Sequence, residues 1–180
     1  MKMLIKYFSK EHINARVNLI NNPLVNNSMF FNLPATIEET TKWFNNKNNA
    51  VRVDLTFLNN NNEIVAMGGI TNISLTDRMG ELYVFVDPVF HGKGIGSKAT
   101  KWIVNYGFLK LNLNKIYLST NDDNIAAYKI YENLGFKLEG LLRSHKWKNN
   151  RFVDRKFYGL LKSEWEHQDY KEQKVNYILT

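Results

Sequence analysis

Residues 87–97 read Asp87-Pro88-Val89-Phe90-His91-Gly92-Lys93-Gly94-Ile95-Gly96-Ser97, with alternating glycines between a β-branched run and a helical pattern. Pro88 has no amide hydrogen to donate to a ladder, so the preceding strand ends at Val86 or Asp87. Apolar residues downstream recur at helical spacing and predict a helix from about Gly96 to about Leu111. The glycines therefore lie at a helix N-terminus, where unpaired amides and the positive end of the helix dipole hold an anion.

This glycine spacing indicates a phosphate site, because a backbone without Cβ atoms can wrap closely around a pyrophosphate. The pattern differs from the GxGxxG fingerprint of dinucleotide sites, and Ser97-Lys98 reverses the order that a Walker loop needs. An ordinary strand-to-helix turn would produce the same local pattern. The candidate phosphate-binding residues are His91, Gly92, Lys93, Gly94, Ile95, Gly96 and Ser97.

The composition is that of a single globular domain. The chain has 180 residues, of which 44% are hydrophobic, so it can bury a sizeable core without a second domain. The sequence has no bilayer-spanning apolar run and no secretory signal, and we therefore expect a cytoplasmic protein with no membrane partner. It has no cysteine and its four histidines are widely separated, so thiol nucleophiles are excluded and we expect no metal.

The charge of the chain is strongly positive. A formal net charge of +7 and a pI of about 9.5 favour an acidic partner. Nucleic acid and a small ligand that carries several phosphates would both gain from this field, so charge alone does not choose between them.

Hydrophobic periodicity predicts a mixed α/β chain in which strands precede and follow the glycine loop. Helices are predicted from Ser9 to about Asn22, from Thr36 through Phe44, after the glycine loop, and over Asn124–Leu134. The segment Asn22–Pro34 is expected to be an irregular apolar loop. Strands are predicted at about Met3–Phe8, Val51–Leu58, Ile64–Ile73, Glu81–Val86, Lys115–Thr120, Phe136–Trp147 and Phe152–Leu161.

A second motif lies at residues 124–136, Asn124-Ile125-Ala126-Ala127-Tyr128-Lys129-Ile130-Tyr131-Glu132-Asn133-Leu134-Gly135-Phe136. It resembles the N-x-x-A-x-x-x-Y-x-x-x-G-F segment of the GNAT N-acetyltransferases. The glycine loop resembles their acetyl-CoA loop, Arg/Gln-x-x-Gly-x-Gly/Ala, with His91 in place of Arg or Gln. The ending of the chain, from Leu138 to Arg143 and on to Trp165, looks like the RimJ/RimL branch of this family.

The resemblance covers about Leu4 to Trp165 and implies the GNAT fold. This is an α/β (α+β) fold with one mixed, mostly antiparallel sheet of about seven strands, flanked by about four helices. It implies that the two central parallel strands splay apart where a bulge interrupts their pairing. We expect residues 1–165 to form this domain and residues 166–180 to be a tail or a short helix.

The resemblance also implies acetyl-CoA as cosubstrate, with its pantetheine arm in the gap between the splayed strands. An amide from Phe85 or Val86 would then stabilise the charge that develops on the thioester oxygen. Tyr131 takes the position of the general acid that protonates the leaving thiolate, whereas Tyr128 lies on a neighbouring face of the helix. Asn124 caps this helix, hydrogen-bonds the pantetheine chain, or does both.

The residues expected to meet the amine are less specific. Glu81 is the candidate base that deprotonates the amine; a surface carboxylate paired with Arg78 or Lys115 is the competing interpretation. Tyr83 is expected to line the same gap. Phe30 and Phe31 are candidates for the substrate-pocket wall, and core contact is the competing interpretation for both.

The primary hypothesis is an N-acetyltransferase that acts on a small-molecule or peptide amine. The aromatic loop favours a protein N-terminus or an amino sugar as acceptor. A polyamine is the alternative, although Asn22–Pro34 lacks the carboxylates that a polyamine would need. A non-catalytic CoA-binding module that docks on RNA or a ribosome through the basic residues 143–155 is a second alternative, and nucleic acid is the less expected partner. The sequence is also compatible with a homodimer.

Overall fold

The computed structural model of the chain describes residues 3–31 and 33–166. Of the tail or short helix expected at residues 166–180, Glu166 is the last residue of the helix Lys162–Glu166, and residues 167–180 lie outside the described residues. The strands are β1 (Leu4–Tyr7), β2 (Val53–Leu58), β3 (Ile64–Ser74), β4 (Met79–Val86), β5 (Lys115–Asn121), β6 (Lys137–Lys148) and β7 (Arg151–Leu161). The helices are α1 (Ile13–Asn21), α2 (Pro23–Asn26), α3 (Ile37–Asn46), α4 (Ile95–Leu109), α5 (Ile125–Asn133) and α6 (Lys162–Glu166).

The strands form one seven-stranded sheet in the order β1-β2-β3-β4-β5-β7-β6. Neighbouring strands pair antiparallel throughout, except that β4 and β5 are parallel. A parallel pair needs a long crossover, and the chain between these two strands supplies it as the glycine loop and α4. The predicted fold class is confirmed, including the central parallel pair.

The sheet has a helical layer on each face, and β4 contributes side chains to both. Phe85 packs in a cluster with the buried apolar face of α1. Its neighbours Val84 and Val86 pack against the cluster that contains the buried face of α4. Side chains of successive strand residues point to opposite faces, so β4 is covered on both sides, as a central strand should be.

Two of the differences between the predicted and observed elements lie near the glycine loop and the aromatic loop. The segment Asn22–Pro34 is not wholly irregular, because it contains the short helix α2. Asn22 caps this helix by accepting from the Leu24 amide at 3.0 Å, and Pro23 follows as its first residue, where a missing amide hydrogen costs nothing. Helix α4 begins at Ile95, one residue before the prediction, because Gly94 already acts as its N-cap.

The end of the described chain is tied to α4. Trp165 is buried, and its indole nitrogen donates to the side-chain oxygen of Asn105 at 3.0 Å. Its ring also lies 5.3 Å from that of Phe108. The short helix α6 therefore closes the domain against the same helix that begins at the glycine loop.

Candidate active site

The two central strands separate at the point where the gap was predicted. Strands β4 and β5 pair from Met79 opposite Lys115 to Glu81 opposite Tyr117. Both strands continue beyond that point without pairing to each other. The predicted bulge is not found here, because the register of β4 against β3 is unbroken over residues 81–86. The strands part by diverging, with no extra residue inserted in β4.

Backbone alternation decides which amides of β4 face this gap. The amide of Asp87 donates to the carbonyl of Val65 at 3.0 Å, on the β3 side. In an antiparallel pair, every second residue turns its amide and carbonyl away from the partner strand. The amides of Val84 and Val86 therefore face the gap, and the amide of Phe85 faces β3. Of the two oxyanion donors predicted from sequence, Val86 has the required direction and Phe85 does not.

The glycine loop closes one end of the gap. Gly92 and Gly94 have φ values of +74° and +73°, a conformation that side chains with a Cβ rarely adopt. Gly94 caps α4, and the first-turn amides of this helix, from Ile95 to Ser97, have no intrahelical acceptor. His91 lies beside the loop, with its Nε2 atom 3.1 Å from the carbonyl oxygen of Val86. The loop thus presents free amides at the positive end of a helix dipole.

Lys93 and Gly96 contribute to the packing around this loop. The ammonium group of Lys93 donates to the carbonyl of Val89 at 3.1 Å and lies 5.0 Å from the centre of the Phe90 ring. A Cβ built on Gly96 would lie 3.3 Å from the Cδ1 atom of Ile130, so this glycine allows α5 to approach the start of α4.

Two cavities meet at the gap. One, of about 400 Å³, is lined by the glycine loop, the end of β4 and one face of α5. The other, of about 410 Å³, lies on the side of α1 and the aromatic loop. Tyr131, Asn124 and Val84 line both cavities. A ligand that reaches from one cavity into the other must pass these residues.

Tyr131 occupies the junction from the middle of α5. The residue is 8% exposed, and burial raises the pKa of its hydroxyl to about 12, with Arg155 acting in the opposite direction. Tyr128 lines neither of these cavities. The ammonium group of Lys156 lies 3.9 Å from the centre of the Tyr128 ring. The geometry therefore distinguishes the two tyrosines. Asn124 caps α5 as predicted, since its side chain accepts from the Ala127 amide at 3.3 Å.

Glu81 lies at the last paired position of β4 and lines the second cavity. Its carboxylate accepts a hydrogen bond from the Asn72 side chain at 2.8 Å. Lys115 and Arg78 were the competing partners for Glu81. Lys115 instead pairs with Glu139 at 2.7 Å, and Arg78 donates to the Asn112 carbonyl at 3.0 Å. Glu81 thus has the location that a base would need.

The aromatic residues of the loop after α2 form a wall of the second cavity. Phe31 packs edge-on against Phe85 at 5.5 Å, and Phe30 is 37% exposed. The guanidinium of Arg155 lies 4.7 Å from the centre of the Phe30 ring and donates to the Asn121 side chain at 2.8 Å. Both phenylalanines are therefore placed where a substrate could contact them, and Phe31 is part of the core as well.

Sequence reasoning missed the charged residues of this cavity. Arg16, Arg52 and Arg155 line it, whereas Glu81 is its one lining carboxylate among the residues described. Tyr83, which was predicted to lie in the gap, donates to the Asp54 carboxylate at 2.5 Å. The neglected signal was Arg16, which stands on the apolar face of α1 between Ile13 and Ile20.

The donor set suits a phosphate-bearing thioester better than a metal. Free amides line the loop cavity, and apolar residues of β4 and α5 lead from it to Tyr131. Across residues 3–31 and 33–166 there is no group of three side chains that could hold a metal ion. In the same part of the chain, no helix is both long and apolar enough to cross a membrane.

Known proteins with a similar sequence are acetyltransferases. Spermidine N(1)-acetyltransferase of Escherichia coli (strain K12) is 35% identical over 83 residues, which are 46% of this chain and 45% of that protein. The putative ribosomal N-acetyltransferase YdaF of Bacillus subtilis is 30% identical over 103 residues, which are 57% of this chain and 56% of that protein. These matches thus span about half the length of the relatives.

The fold is also similar to a solved structure. Spermidine N-acetyltransferase from Vibrio cholerae, crystallised with CoA and spermine, superposes with a TM-score of 0.87 at 22% identity, over 91% of this chain and 98% of that one. In addition, residues 2–137 match the model of the acetyltransferase (GNAT) domain. That match covers the splayed strands, the glycine loop and the helix that carries Tyr131, and the chain accordingly belongs to the GNAT acetyltransferase family.

Proposed function

We propose that this chain is an acetyl-CoA-dependent N-acetyltransferase that acts on a primary amine. The observation that carries the proposal is the position of Tyr131, whose buried side chain lines both the glycine-loop cavity and the second cavity. A direct transfer needs the thioester and the amine to meet next to a proton donor, and this junction provides such a place.

The glycine-loop cavity would hold the cosubstrate. The first-turn amides of α4 would bind its diphosphate, and the apolar stretch from Val84 to Val86 would line the arm that leads to the thioester. Bound acetyl-CoA would supply an acyl group on a thiolate leaving group. The amides of Val84 and Val86 face the place where charge would develop on the acyl oxygen.

The second cavity would hold the amine. An amine attacks only in its neutral form, and Glu81 would accept its proton either directly or through a water molecule. Tyr131 would then donate a proton to the departing sulfur. A hydroxyl whose pKa is raised to about 12 stays protonated at neutral pH, so it is available as a donor throughout the physiological range.

The acceptor expected from sequence has the weaker support from the relatives. Their names favour a polyamine, which the sequence had placed second, over a protein N-terminus or an amino sugar. Membership of the RimJ/RimL-like branch stays a proposal that rests on the resemblance from Leu138 to Arg143 and on to Trp165. The name of the YdaF relative keeps a protein acceptor in the panel to be tested.

The direct test is release of free thiol from acetyl-CoA in the presence of spermidine, a short peptide with a free N-terminus, or glucosamine. We expect thiol release with at least one primary amine, together with a product heavier by one acetyl group. If the protein binds CoA but none of these amines causes release of thiol, the result favours the non-catalytic CoA-binding module. An RNA affinity that falls steeply with salt would then support the docking alternative.

A further inference from the structure

The second cavity contains a buried arginine whose charge the protein does not fully satisfy. Arg16 projects from α1 into a ring of aromatic side chains and is 6% exposed. Its guanidinium carbon lies 4.4 Å from the centre of the Trp43 ring and 5.6 Å from that of Phe31. Among the residues that the structure describes, its Nη1 atom has no hydrogen-bond partner. Burial lowers the pKa of Arg16, whereas Tyr83 and Asp54 act in the opposite direction.

The positive charges around Arg16 outnumber the negative ones. Asp54 accepts from Arg52 at 2.9 and 2.6 Å, from Lys47 at 3.0 Å and from Tyr83 at 2.5 Å. Two cations thus already share this carboxylate, and Arg16 adds a third. The Asp54 side chain is 1% exposed and that of Lys47 is 8% exposed, so solvent screens the group poorly. Buried charges are normally paired, so an excess of this kind favours an anionic partner from outside the protein.

The cavity brings this excess charge next to the place proposed for transfer. Arg16 and Arg52 line the same 410 Å³ space as Tyr131 and Glu81. A volume of this size accommodates a small molecule. A polyamine that entered it would bring further positive charge towards Arg16 and Arg52, which like-charge repulsion opposes.

We propose that Arg16 and Arg52 form a subsite that binds an anionic group of the substrate, and that the acceptor is a primary amine that also carries a carboxylate or a phosphate. The planar guanidinium groups suit the oxygens of either anion. The amine of such a molecule would lie towards Glu81 and Tyr131, and its anionic end towards α1. This inference rests on the proposed acetyl transfer and adds the charge of the substrate to it.

Matched pairs of amines test the proposal on the unmodified protein. The pairs are phenethylamine with phenylalanine, putrescine with ornithine, and glucosamine with glucosamine 6-phosphate, so that each pair differs by one anionic group. We expect kcat/KM to be higher for the anionic member of at least one pair by about 10- to 100-fold, mainly through a lower KM. The first two pairs report a carboxylate source and the third a phosphate source.

The outcomes separate the subsite from the reaction. If putrescine and spermidine are used as well as or better than every anionic amine, the subsite is overturned and the acetyltransferase survives. If none of the amines causes release of thiol, the acetyltransferase proposal fails. A binding measurement then tests whether the subsite exists. For that arm, calorimetry compares 3-phenylpropanoate with phenethyl alcohol in the presence of CoA. Tighter binding of the carboxylate by at least about tenfold supports the subsite, and equal binding overturns it.

A variant of the arginine provides a second line of evidence. In Arg16→Met the ratio of kcat/KM between the two members of the preferred pair should fall about tenfold. Arg143, which is exposed on β6, provides the matched control Arg143→Met, and this variant should keep the wild-type ratio. A structural role for Arg16 alone would change stability and leave the ratio intact, which would overturn the proposal.

Discussion

The two cavities that meet at Tyr131 are built in different ways. The free amides of the glycine-loop cavity come from the backbone of one continuous segment, the end of β4 to the first turn of α4. The second cavity takes its charged groups from side chains on α1, on β4, on β7 and at Arg52 just before β2, which are far apart in the chain. A backbone site keeps its chemistry through many side-chain changes, whereas a side-chain site can be changed by one substitution. The first therefore suits a shared cosubstrate and the second a variable acceptor.

The largest effect is expected from Asp54, whose carboxylate binds the Arg52 side chain of the second cavity. Asp54→Asn removes the carboxylate shared by Lys47 and Arg52 and leaves buried cations without a partner. Breaking a buried pair in this way costs about 3–5 kcal/mol of unfolding free energy, which urea denaturation would measure. The exposed Asp122→Asn is the control and should change stability by less than about 0.5 kcal/mol. A loss below about 1 kcal/mol in Asp54→Asn would mean that the charges are not effectively buried.

The next effect concerns Tyr131, one of the residues that line both cavities. Tyr131→Phe removes the proposed proton donor and leaves the ring in place, so kcat should fall about 100-fold or more while CoA affinity is nearly unchanged. Tyr128→Phe, on the same helix but outside both cavities, should stay within about twofold of wild type. Equal kinetics for the two variants would remove Tyr131 from the chemistry.

A smaller effect is expected from a substitution in the glycine loop. Gly94→Ala forces a residue with a Cβ to adopt a φ of +73° at the cap of α4. The strain is about 1–2 kcal/mol, so we expect either an equal loss of stability or a CoA dissociation constant raised by about tenfold. Calorimetry with CoA and thermal unfolding measure the two alternatives. Gly140→Ala, where nothing lies within 4 Å of an added Cβ, is the control and should change neither.

The smallest effect is a change that should not occur. The pKa of Tyr131 is raised to about 12 by burial, so its hydroxyl keeps the proton as pH rises towards that value. The rate should therefore show no decline from loss of this proton between pH 8 and about pH 10, measured by thiol release at saturating amine. A descending limb near pH 9 that Tyr131→Phe abolishes would show that the hydroxyl ionises much earlier than its burial implies.

The difference between the two regions also explains what could be predicted from sequence. The glycine loop and the Tyr131 helix are continuous segments with their own spacing rules, and their positions followed from those rules. The contact of Arg16 with the Phe31 and Trp43 rings depends on how α1 packs on the sheet, which local spacing does not specify. The direction of the Val86 amide required the register of β4 against β3, and that register is a property of pairing between distant residues.

The bulge was not found at its expected place for a related reason: the register is unbroken over residues 81–86, and the shift between β3 and β4 lies at Thr71–Ser74. A bulge is one way to separate two strands, and the sequence of β4 carries no mark that distinguishes it from simple divergence. The structure separates the strands by ending their pairing after Glu81 and Tyr117. The acceptor preference was likewise argued from the loop at 22–34 alone, whereas Arg16 and Arg52 of the cavity lie on α1 and just before β2.

The main-chain donors of β4 have one more consequence. Because Val84 and Val86 turn their side chains to α4 and their amides to the gap, replacing either by another apolar residue leaves the N–H groups where they are. An alanine scan would therefore register only packing at these two positions and would pass over the polarising groups. Exchange of the peptide bond for an ester by chemical synthesis, which deletes the N–H itself, is the substitution that would reveal them.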